Sequence, residues 1–354
     1  MINVIIPMSG KGLYEVSSDF IYPKILTEVA NKTLLEYSQA IFNTLKEPYK
    51  RVFVTPEDKL NSLGLKTIIE IISNNYDVIV PLAGITKGAV CSSLMAIDEV
   101  DIEDELIISS ADHFLNENLQ SVVDYFRKEE ADAGVLTFES VHPKWSFVKL
   151  DALGTVIESA EKKAISKNAV AGLYYFKRAG DFFDSAKNVI RKDNSLDGIF
   201  YLSSCLNEFI LSGKKVSCKP LSESVYHNFY DAHAVKSFEA SNKFNTSIIK
   251  DYTKAYIKAF DQKNLMELSN FFDSDTVLTD PGNHIVGDVK IKEMLVELFN
   301  SNVKLSFNAK RILVDKNNSL IEFELTLNDK TFIGVDLIEW SADYKIKKLD
   351  AYLY

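Results

Sequence analysis

A loop that carries two glycines follows the first apolar run of the chain. Asn3–Pro7 is the apolar run, Gly10 and Gly12 lie in the loop, and Lys24 comes shortly after it. Small residues at the end of a buried strand let backbone N–H groups face a polyphosphate. A lysine ammonium neutralises the negative charge that phosphoryl chemistry builds up. The pattern therefore indicates a phosphate-binding site, although a strand followed by two glycines is also typical of a plain tight turn.

A carboxylate follows a second apolar run. Asp112 comes directly after Glu105–Ser109 in the segment Ile107-Ile-Ser-Ser-Ala-Asp-His-Phe-Leu115. A carboxylate in this position is suited to holding a hard divalent cation with few protein ligands. An aspartate after a strand also serves as a helix N-cap or turn residue. Position alone leaves both roles open.

The segments around these residues alternate between the hydrophobic pattern of strands and that of helices. In the first two-thirds of the chain, short β-branched runs alternate with segments of helical period, which predicts a mostly parallel sheet with helices on both faces, a Rossmann-like α/β fold. Ligands bind such sheets beyond the carboxyl ends of the strands, where both loops are expected. The predicted strands are 3–7, 51–55, 77–81, 105–109 and 133–138, and the predicted helices are 34–45, 65–75, 88–97 and 119–128.

The N-terminal blocks resemble the signature of the sugar-phosphate nucleotidyltransferases. That signature is a strand, then G-x-G-x-R, then P-K-x-L. Here Gly10 and Gly12 match its first block, and Pro23-Lys24-Ile-Leu26 matches the second. Where the family carries an arginine that helps hold the triphosphate, this chain has Tyr14. The resemblance implies the nucleotide-diphospho-sugar transferase fold and an enzyme that couples an NTP with a phosphate acceptor and releases pyrophosphate.

Further blocks follow in the family's order. Thr86-Lys-Gly-Ala89 resembles the segment that lines the nucleoside, and Asp112 resembles the aspartate that binds Mg²⁺. Asn228 falls where the family has a second aspartate ligand; it brings no charge, so a metal there would bind more weakly. Asp231 is an alternative ligand.

Two blocks resemble the acceptor side of the family. They are Glu161-Lys162, which matches the pair that contacts the sugar or its phosphate, and Gly172-Leu-Tyr174, which matches a strand under the acceptor. An isolated Glu-Lys pair is usually a solvated surface pair, so its place in the series carries the interpretation. Lys11 would partly replace the missing arginine, but an ammonium makes no forked contact.

The resemblance implies three overlapping groups of site residues, with Mg²⁺ as the cofactor. The catalytic residues are Lys24, Asp112 and Lys162, and the metal ligands are Asp112 and Asn228. The nucleotide-binding residues are Met8, Ser9, Gly10, Lys11, Gly12, Lys24, Gly84, Thr86, Gly88, Ala89 and Ala111, and the acceptor-binding residues are His113, Glu161, Lys162, Gly172 and Tyr174.

The pattern changes after residue 240. A polar segment, 241–247, is predicted as a linker between a domain at 1–240 and a second domain at 248–354. Helices first and an antiparallel meander afterwards predict an α+β layout. The predicted helices are 248–262, 264–272 and 289–299, and the predicted strands are 304–314, 319–327, 331–340 and 345–352.

This second domain resembles the SnoaL-like or ketosteroid-isomerase-like cone fold. The matching pieces are its opening amphipathic helix, the segment Leu278-Thr-Asp-Pro-Gly282 with Gly287, and the closing strand. We expect association or ligand sensing rather than catalysis from it, since a fold does not fix a function. The candidates for lining a pocket inside the cone are Asp280, His284, Trp340 and Tyr352.

Composition sets limits on the partners. The chain has 354 residues and a net charge of −10, which argues against a nucleic-acid-binding surface. Its three cysteines have no metal-like spacing. The N-terminus lacks a signal-peptide pattern, and no apolar run is long enough for a bilayer. We therefore expect a cytoplasmic protein without membrane insertion, which acts on an NTP and a small phosphorylated acceptor and forms a homodimer through its C-terminal domain.

Three functions are compatible with these patterns. The leading one is a nucleotidyltransferase that activates a sugar phosphate for capsule or surface polysaccharide; a cytidylyltransferase for a non-sugar phosphate such as phosphocholine is a variant of it. The second is a catalytically impaired protein that binds nucleotide sugar and regulates partners, because of Tyr14 and Asn228. The third, a glycosyltransferase, would need a D-x-D pair, whereas Ala111-Asp112-His113 has one carboxylate.

Overall fold

The computed structural model describes residues 1–16, 20–29, 32–222, 225–240, 242–341 and 343–354, and of residues 242–245 and 247 only the backbone. The described chain forms two compact units, Met1–Val235 and Lys236–Tyr354. Within the described residues, the buried apolar clusters of the two units have no member in common. The domain bounds predicted from the sequence, 1–240 and 248–354, stay a prediction.

The first unit is built on strands that the apolar runs of the sequence form. In chain order they are β1 (Ile2–Pro7), β2 (Glu28–Val29), β3 (Lys32–Thr33), β4 (Tyr49–Pro56), β5 (Val78–Leu82), β6 (Glu105–Ser109), β7 (His113–Leu115), β8 (Ala133–Glu139), β9 (Ser146–Leu150), β10 (Val156–Glu161), β11 (Asn168–Phe176), β12 (Val216–Pro220) and β13 (Tyr226–Asn228).

The described strands form a nine-stranded sheet with the order β10-β9-β11-β6-β1-β4-β5, in which β8 also pairs with β11 and β12 with β8. The segment β6-β1-β4-β5 is parallel, whereas β11 runs antiparallel to β6, β8 and β9. Because β11 enters beside β6, its residues lie next to the carboxyl end of a parallel strand. A smaller pair, β7 and β13, lies outside this sheet.

Alternation along β1 explains why both faces of the sheet are covered. Val4 and Ile6 belong to one buried cluster, and Ile5 belongs to the other; all three side chains are fully buried. Successive strand residues point to opposite faces, so a continuous apolar run needs a core on each side. The helices that cover these faces are α1 (Leu34–Gln39), α2 (Glu57–Ser62), α3 (Leu65–Ile72), α4 (Ala89–Leu94), α5 (Leu119–Lys128), α6 (Ala179–Arg191) and α7 (Leu202–Leu211). A further helix, α8 (Ala232–Glu239), contains the point at which the chain divides into the two units.

The predicted fold class of this unit is confirmed, and each predicted strand is present within two residues of its expected bounds. The predicted helix 34–45 begins at a capping box of Thr33 and Glu36, but its second half, Ala40–Thr44, is a 3₁₀ helix. Two further 3₁₀ turns, Lys11–Leu13 and Lys24–Leu26, follow β1.

The second unit has the expected α+β layout. The meander β16-β17-β18-β19 is antiparallel, and β14 extends it by pairing in parallel with β19. Trp340 and Ile321 are fully buried in its core. The elements are α9 (Asn242–Asp261), α10 (Leu265–Ser269), β14 (Phe272–Thr279), β15 (His284–Val286), α11 (Asp288–Ser301), β16 (Leu305–Asp315), β17 (Asn318–Leu327), β18 (Lys330–Trp340) and β19 (Ile346–Leu353).

Two local predictions for this unit were wrong. The segment 242–247, predicted as a linker, is the beginning of α9. Extending an existing helix through residues without glycine or proline costs little compared with nucleating it. The helix predicted to run to residue 272 ends at Ser269, because Phe272 pairs with Ile346 and is buried as the first residue of β14. Among the described residues, no helix has the length and apolar character needed to cross a membrane.

Candidate active site

The loop after β1 is joined to the start of α4 by three hydroxyl groups. The Oγ of Ser9 lies 2.8 Å from the Oγ1 of Thr86 and 2.5 Å from the Oγ of Ser92, and the latter two are 2.6 Å apart. Ser9 and Ser92 are buried. Thr86 was predicted to line the nucleotide site, whereas Ser92 lies inside a helical pattern and gave no sequence signal. This triangle brings the predicted triphosphate and nucleoside segments together.

Gly10 and Gly12 have open space beside them. A Cβ atom on either residue would meet no atom within 4 Å, and Gly10 has ordinary extended angles, φ −67° and ψ 127°. Neither packing nor backbone conformation therefore requires glycine here. Gly84 also has open space beside it. Gly88 differs, because it has φ +108° and an added Cβ would lie 2.4 Å from the carbonyl oxygen of Phe200. Gly88 thus has a structural reason to be glycine, and the loop glycines leave room for a ligand.

Tyr14 stands where the resemblance expects an arginine, and it turns back onto the sheet. Its hydroxyl donates a 2.6 Å hydrogen bond to the carbonyl oxygen of Met8 and lies 2.8 Å from the Oγ1 of Thr55. Burial raises the pKa of Tyr14 to about 12, so the phenol stays neutral. Tyr14 therefore fixes the glycine loop to the end of β4 and supplies no cation; Lys11 is exposed in that loop.

Lys24 and Asp112 form an ion pair. The Nζ of Lys24 lies 3.0 Å from the Oδ2 of Asp112, and the hydroxyl of Ser110 donates to the Oδ1 at 2.5 Å. Burial alone would raise the pKa of Asp112, but the charge of Lys24 and the hydrogen bonds from Ser110 and Lys24 hold it below its ordinary value. Asp112 is therefore ionised at neutral pH. The side chain of Lys24 is 7% exposed and that of Asp112 is 32% exposed, so the pair opens to solvent on the carboxylate side.

The small sheet β7–β13 places Asn228 beside Asp112. His113 pairs with Asn228 in this sheet, and the backbone N–H of Phe229 donates to the carbonyl oxygen of Asp112 at 2.8 Å. Asp112 and Asn228 line one cavity of about 160 Å³. The Oδ1 of Asn228 also accepts a hydrogen bond from the backbone of Tyr230 at 3.2 Å.

This donor set suits magnesium better than a metal that needs a complete protein cage. Among the described residues, no group of three His, Cys, Asp or Glu side chains is placed to hold a metal ion. One ionised carboxylate, Asp112, and one amide oxygen, Asn228, are available in the cavity. Mg²⁺ keeps several waters and is commonly held by one or two carboxylates together with substrate phosphates. The residues therefore fit Mg²⁺ held jointly with a nucleotide.

His113 lines the same cavity as a neutral imidazole. Burial lowers the pKa of His113 to about 4, against the opposing effect of the Asp112 charge. Its Nε2 lies 3.3 Å from the hydroxyl of Ser109, and its Nδ1 has no hydrogen-bond partner in the described part of the chain. Gly172, with φ +71°, lets this ring approach, since a Cβ there would lie 2.9 Å from the Nδ1. The Nδ1 is thus packed against the backbone of β11 at Gly172.

The remaining lining comes from β9 to β11 and from the chain around β13. Glu161 accepts hydrogen bonds from the hydroxyls of Ser146 and Ser203, and burial raises the pKa of this carboxyl. The predicted acceptor residues Glu161, Gly172 and Tyr174 thus share the cavity with Asp112 and Asn228. Lining residues that the sequence interpretation missed are Ser110, Lys144, Trp145, Ser146, Tyr226 and Tyr230.

Lys162 lies outside the described lining. It is exposed, and its Nζ donates a 3.0 Å hydrogen bond to the hydroxyl of Tyr201, which raises the pKa of the lysine. In the free protein this lysine is directed to Tyr201, and a contact with an acceptor phosphate would need a different rotamer. Ala89 and Ala111 stand where expected, at the start of α4 and just after β6.

The pocket predicted inside the second unit is not formed by the residues proposed for it. Trp340 is 1% exposed and donates its indole N–H to the hydroxyl of Ser319, so it belongs to the core. Tyr352 is 54% exposed, and His284 is exposed as well. The carboxylate of Asp280 accepts from Gly282 and Asn283, which makes it a turn residue. These four side chains do not converge, because strand alternation and the turn send them to different surroundings.

Comparison with known proteins identifies both units. The family model described as nucleotidyl transferase matches residues 9–201, and the model described as SnoaL-like domain matches residues 253–349. Among curated proteins, none matches the sequence of this chain.

Solved structures resemble the first unit. A nucleoside-diphosphate-sugar pyrophosphorylase from Vibrio cholerae RC9 is 20% identical, with a TM-score of 0.59 over 67% of this chain and 100% of that one. A UDP-glucose pyrophosphorylase complexed with UDP-glucose is 17% identical, with a TM-score of 0.54 over 68% and 97%. An inositol-1-phosphate CTP transferase from T. maritima is 15% identical, with a TM-score of 0.51 over 67% and 93%. At these identities the likeness shows a common fold.

Proposed function

The chain belongs to the nucleotidyl transferase family and is a nucleotidyltransferase, and from this premise we propose that it couples an NTP with a small phosphorylated acceptor. The observation that carries the proposal is the Lys24–Asp112 pair, whose carboxylate opens into the cavity lined by the expected acceptor residues. An oxygen of the acceptor phosphate attacks the α-phosphorus of the NTP. The bond from that phosphorus to the bridging oxygen breaks, and pyrophosphate leaves with the electron pair.

Charge neutralisation is the main task of the side chains in this reaction. We propose that Asp112 and Asn228 hold Mg²⁺, which when bound would offset charge on the phosphate oxygens. Lys24 is held at the carboxylate in the free protein and would turn its ammonium to the triphosphate once the metal takes the charge of Asp112. The backbone around Gly10 and Gly12 offers open space for the β- and γ-phosphates. No covalent enzyme intermediate is required.

On the acceptor side we propose that Glu161, His113 and Tyr174 hold the acceptor. All three side chains line the cavity, which supports this assignment. Lys162 would contact the acceptor phosphate after leaving Tyr201.

Two acceptor classes fit this proposal. The likeness to sugar pyrophosphorylases supports a sugar phosphate, with surface polysaccharide as the destination of the product, and a non-sugar phosphate such as phosphocholine is the other. A cytoplasmic location is supported by the free cysteines, of which Cys205 and Cys218 are buried. A homodimer through residues 248–354 remains a proposal of the sequence interpretation.

A catalytically impaired, nucleotide-sugar-binding regulator is the second candidate. Tyr14 favours it, because this side chain is committed to Met8 and Thr55 and provides no positive charge for the triphosphate. Asn228 favours it as well, because it removes a carboxylate from the metal site.

Pyrophosphate release distinguishes the two candidates. The purified full-length chain is incubated with each of the four NTPs, MgCl₂ and a panel of sugar and amino-alcohol phosphates. Release that requires both an NTP and one acceptor supports the enzyme, and Asp112→Asn should then shift the Mg²⁺ titration to higher concentration. Nucleotide or nucleotide-sugar binding without release across the whole panel would instead support the regulator.

A further inference from the structure

Three aromatic side chains form one end of the acceptor cavity. The ring of Trp145 lies 6.2 Å from that of Tyr226 and 6.4 Å from that of Tyr230, with interplanar angles of 69° and 66°. All three side chains line the cavity that also contains Asp112 and Glu161. We refer to Trp145, Tyr226 and Tyr230 as the aromatic box. The face of an aromatic ring carries partial negative charge and attracts cations. In this group the faces of Trp145 and Tyr230 are the ones that a cation approaches.

A cation of the protein itself lies against this box. The Nζ of Lys144 is 4.7 Å from the ring centre of Trp145 and 5.0 Å from that of Tyr230. Within the described residues this ammonium has no carboxylate partner within ion-pair distance. Its ammonium therefore lies within cation–π distance of two rings, which supports a preference of the box for a positive charge.

Glu161 adds a carboxylate to the same cavity. Its hydrogen bonds come from the neutral hydroxyls of Ser146 and Ser203, and the ammonium of the neighbouring Lys162 is directed to Tyr201. A carboxyl that is largely removed from water and bonded to neutral donors gains free energy when a cation approaches it. The charge of Lys162 offsets part of this negative charge, and an ammonium group in the cavity would add a second countercharge.

Resting on the proposed function, we propose that the acceptor is a phosphorylated amino alcohol whose ammonium group enters the aromatic box and faces Glu161. Lys144 holds the box in the free protein and moves aside when the acceptor binds. The acceptor phosphate then points to Asp112 and Lys24, where its oxygen attacks the α-phosphorus as described above. Phosphocholine is the simplest probe, because quaternary ammonium groups suit aromatic cages.

Choline binding tests the box without any turnover. The chain has two tryptophans, and Trp340 is buried in the core of the second unit, so a saturable change in tryptophan fluorescence on titration with choline chloride reports Trp145. Sodium chloride at equal ionic strength is the blank. Trp145→Ala should weaken choline binding, measured by calorimetry, by about tenfold, while Trp145→Phe keeps a ring and should retain most of it. Circular dichroism verifies that both variants are folded.

Lys144→Ala gives the distinguishing signature. Removal of the resident cation should tighten choline binding several-fold, whereas Lys149→Ala, which removes an exposed lysine of β9 outside the described cavity lining, should not. Weaker choline binding in Lys144→Ala, or equal tightening in both variants, would overturn the proposal. So would the absence of any saturable choline signal in the unaltered protein.

Turnover separates this inference from the proposed function. Pyrophosphate release with phosphocholine or phosphoethanolamine, and not with glucose 1-phosphate, supports both. Release with sugar phosphates alone sustains the nucleotidyltransferase and refutes the ammonium acceptor. Choline binding with the expected variant pattern, but no pyrophosphate from any pair of substrates, sustains the box and refutes the enzymatic function.

Discussion

At the scale of single residues, the candidate site depends on charges that are paired with each other in the free protein. Lys24 neutralises Asp112 at 3.0 Å, and this pairing keeps the carboxylate ionised in spite of its burial. The carboxylate of Asp112 is suited to a metal ion, and the ammonium of Lys24 is suited to a polyphosphate. Asp336, in the second unit, differs from Asp112, because it is buried and no cation of the described residues is paired with it.

Lys24→Ala should lower kcat for pyrophosphate release by about 10²-fold or more, since a preorganised cation is removed from the developing charge. We expect only a small change in melting temperature, because the carboxylate of Asp112 that loses its partner is 32% exposed and can be hydrated. Steady-state kinetics and thermal melting measure the two effects. Lys66→Ala, which removes an exposed lysine paired with Glu70 at 4.0 Å, is the matched control and should leave kcat unchanged. Full activity of a folded Lys24→Ala variant would contradict the role of Lys24.

Asp336 should make the second unit less stable as the pH rises. It is 4% exposed on β18, and burial raises its pKa from 3.8 to about 7. Tyr256 is a titratable group close enough to interact with it. The unfolded state ionises first, so the free energy of unfolding falls between about pH 4 and pH 7, by about 4 kcal/mol in the limit of the full shift.

Urea unfolding followed by Trp340 fluorescence at pH 5 and pH 8, in a Trp145→Phe background, measures this dependence. Asp336→Asn, which has nearly the same shape and does not titrate, should show a clearly smaller difference between the two pH values. Equal pH dependence in both proteins would show that Asp336 does not cause it.

At the scale of elements, two strand ends and one helix start build the nucleotide side. The loop after β1 is fixed on one side by the hydroxyl triangle with Thr86 and Ser92, and on the other by Tyr14. The glycines of this region are required for different reasons. Gly10 leaves open space beside the loop, whereas Gly88 adopts a positive φ and lies so close to the backbone of Phe200 that no Cβ fits. Local conformation therefore separates glycines that serve folding from those that serve binding.

Gly10→Ala and Gly88→Ala should accordingly have opposite effects. Gly10→Ala is tolerated by the backbone and should leave the melting temperature unchanged, but its methyl group should weaken NTP binding. Gly88→Ala should destabilise the first unit by more than about 1 kcal/mol, since an L-residue is strained at φ +108° and the Cβ collides with Phe200. Thermal melting and nucleotide titration measure the pair. A destabilised Gly10→Ala protein would show that the space beside this loop is occupied.

Tyr14→Phe should loosen the glycine loop. The change removes the hydrogen bond to Met8 and the contact with Thr55, at a cost of about 1 kcal/mol in unfolding free energy. We expect a higher KM for the NTP and a smaller effect on kcat, because the tyrosine acts by holding the loop. The comparison is Tyr76→Phe, at a tyrosine that is 58% exposed. An unchanged KM would argue that Tyr14 serves stability alone.

At the scale of the whole molecule, the chain combines two units with separate cores. The buried apolar clusters of the first unit draw on residues 2–226, and that of the second draws on residues 249–351. The residues proposed for catalysis and binding all lie in the first unit. The second unit is therefore free to differ in function, and association is the role we propose for it.

A chain that ends after residue 240 should fold and keep the nucleotidyltransferase activity, because it retains the described cores and cavity of the first unit. Cooperative urea unfolding and pyrophosphate release measure this, and sedimentation compares its mass with that of the full chain. A monomeric fragment from a dimeric full chain would support association through residues 248–354. An insoluble fragment would show that the units depend on each other or that the bound at 240 is misplaced.

The sequence by itself determined the elements and the chemistry they could carry. Apolar runs such as Asn3–Pro7 must be buried on two faces, so the strands and the layered fold of the first unit followed from composition and period. The alternating pattern placed the glycine loop and Asp112 beyond the carboxyl ends of strands, and the order of the motifs added Lys24 to the same site. Local sequence patterns gave wrong predictions at two places. The polar segment 242–247 is the beginning of α9, and Phe272 belongs to a strand rather than to the preceding helix.

Only the tertiary structure decided which side chains meet. Asp112 and Asn228 are far apart in the chain and become neighbours through the pairing of β7 with β13. The inward turn of Tyr14 and the position of Lys144 against Trp145 likewise depend on contacts with distant segments. No local pattern encodes such contacts, because their free energy arises only after the sheet has brought the segments together.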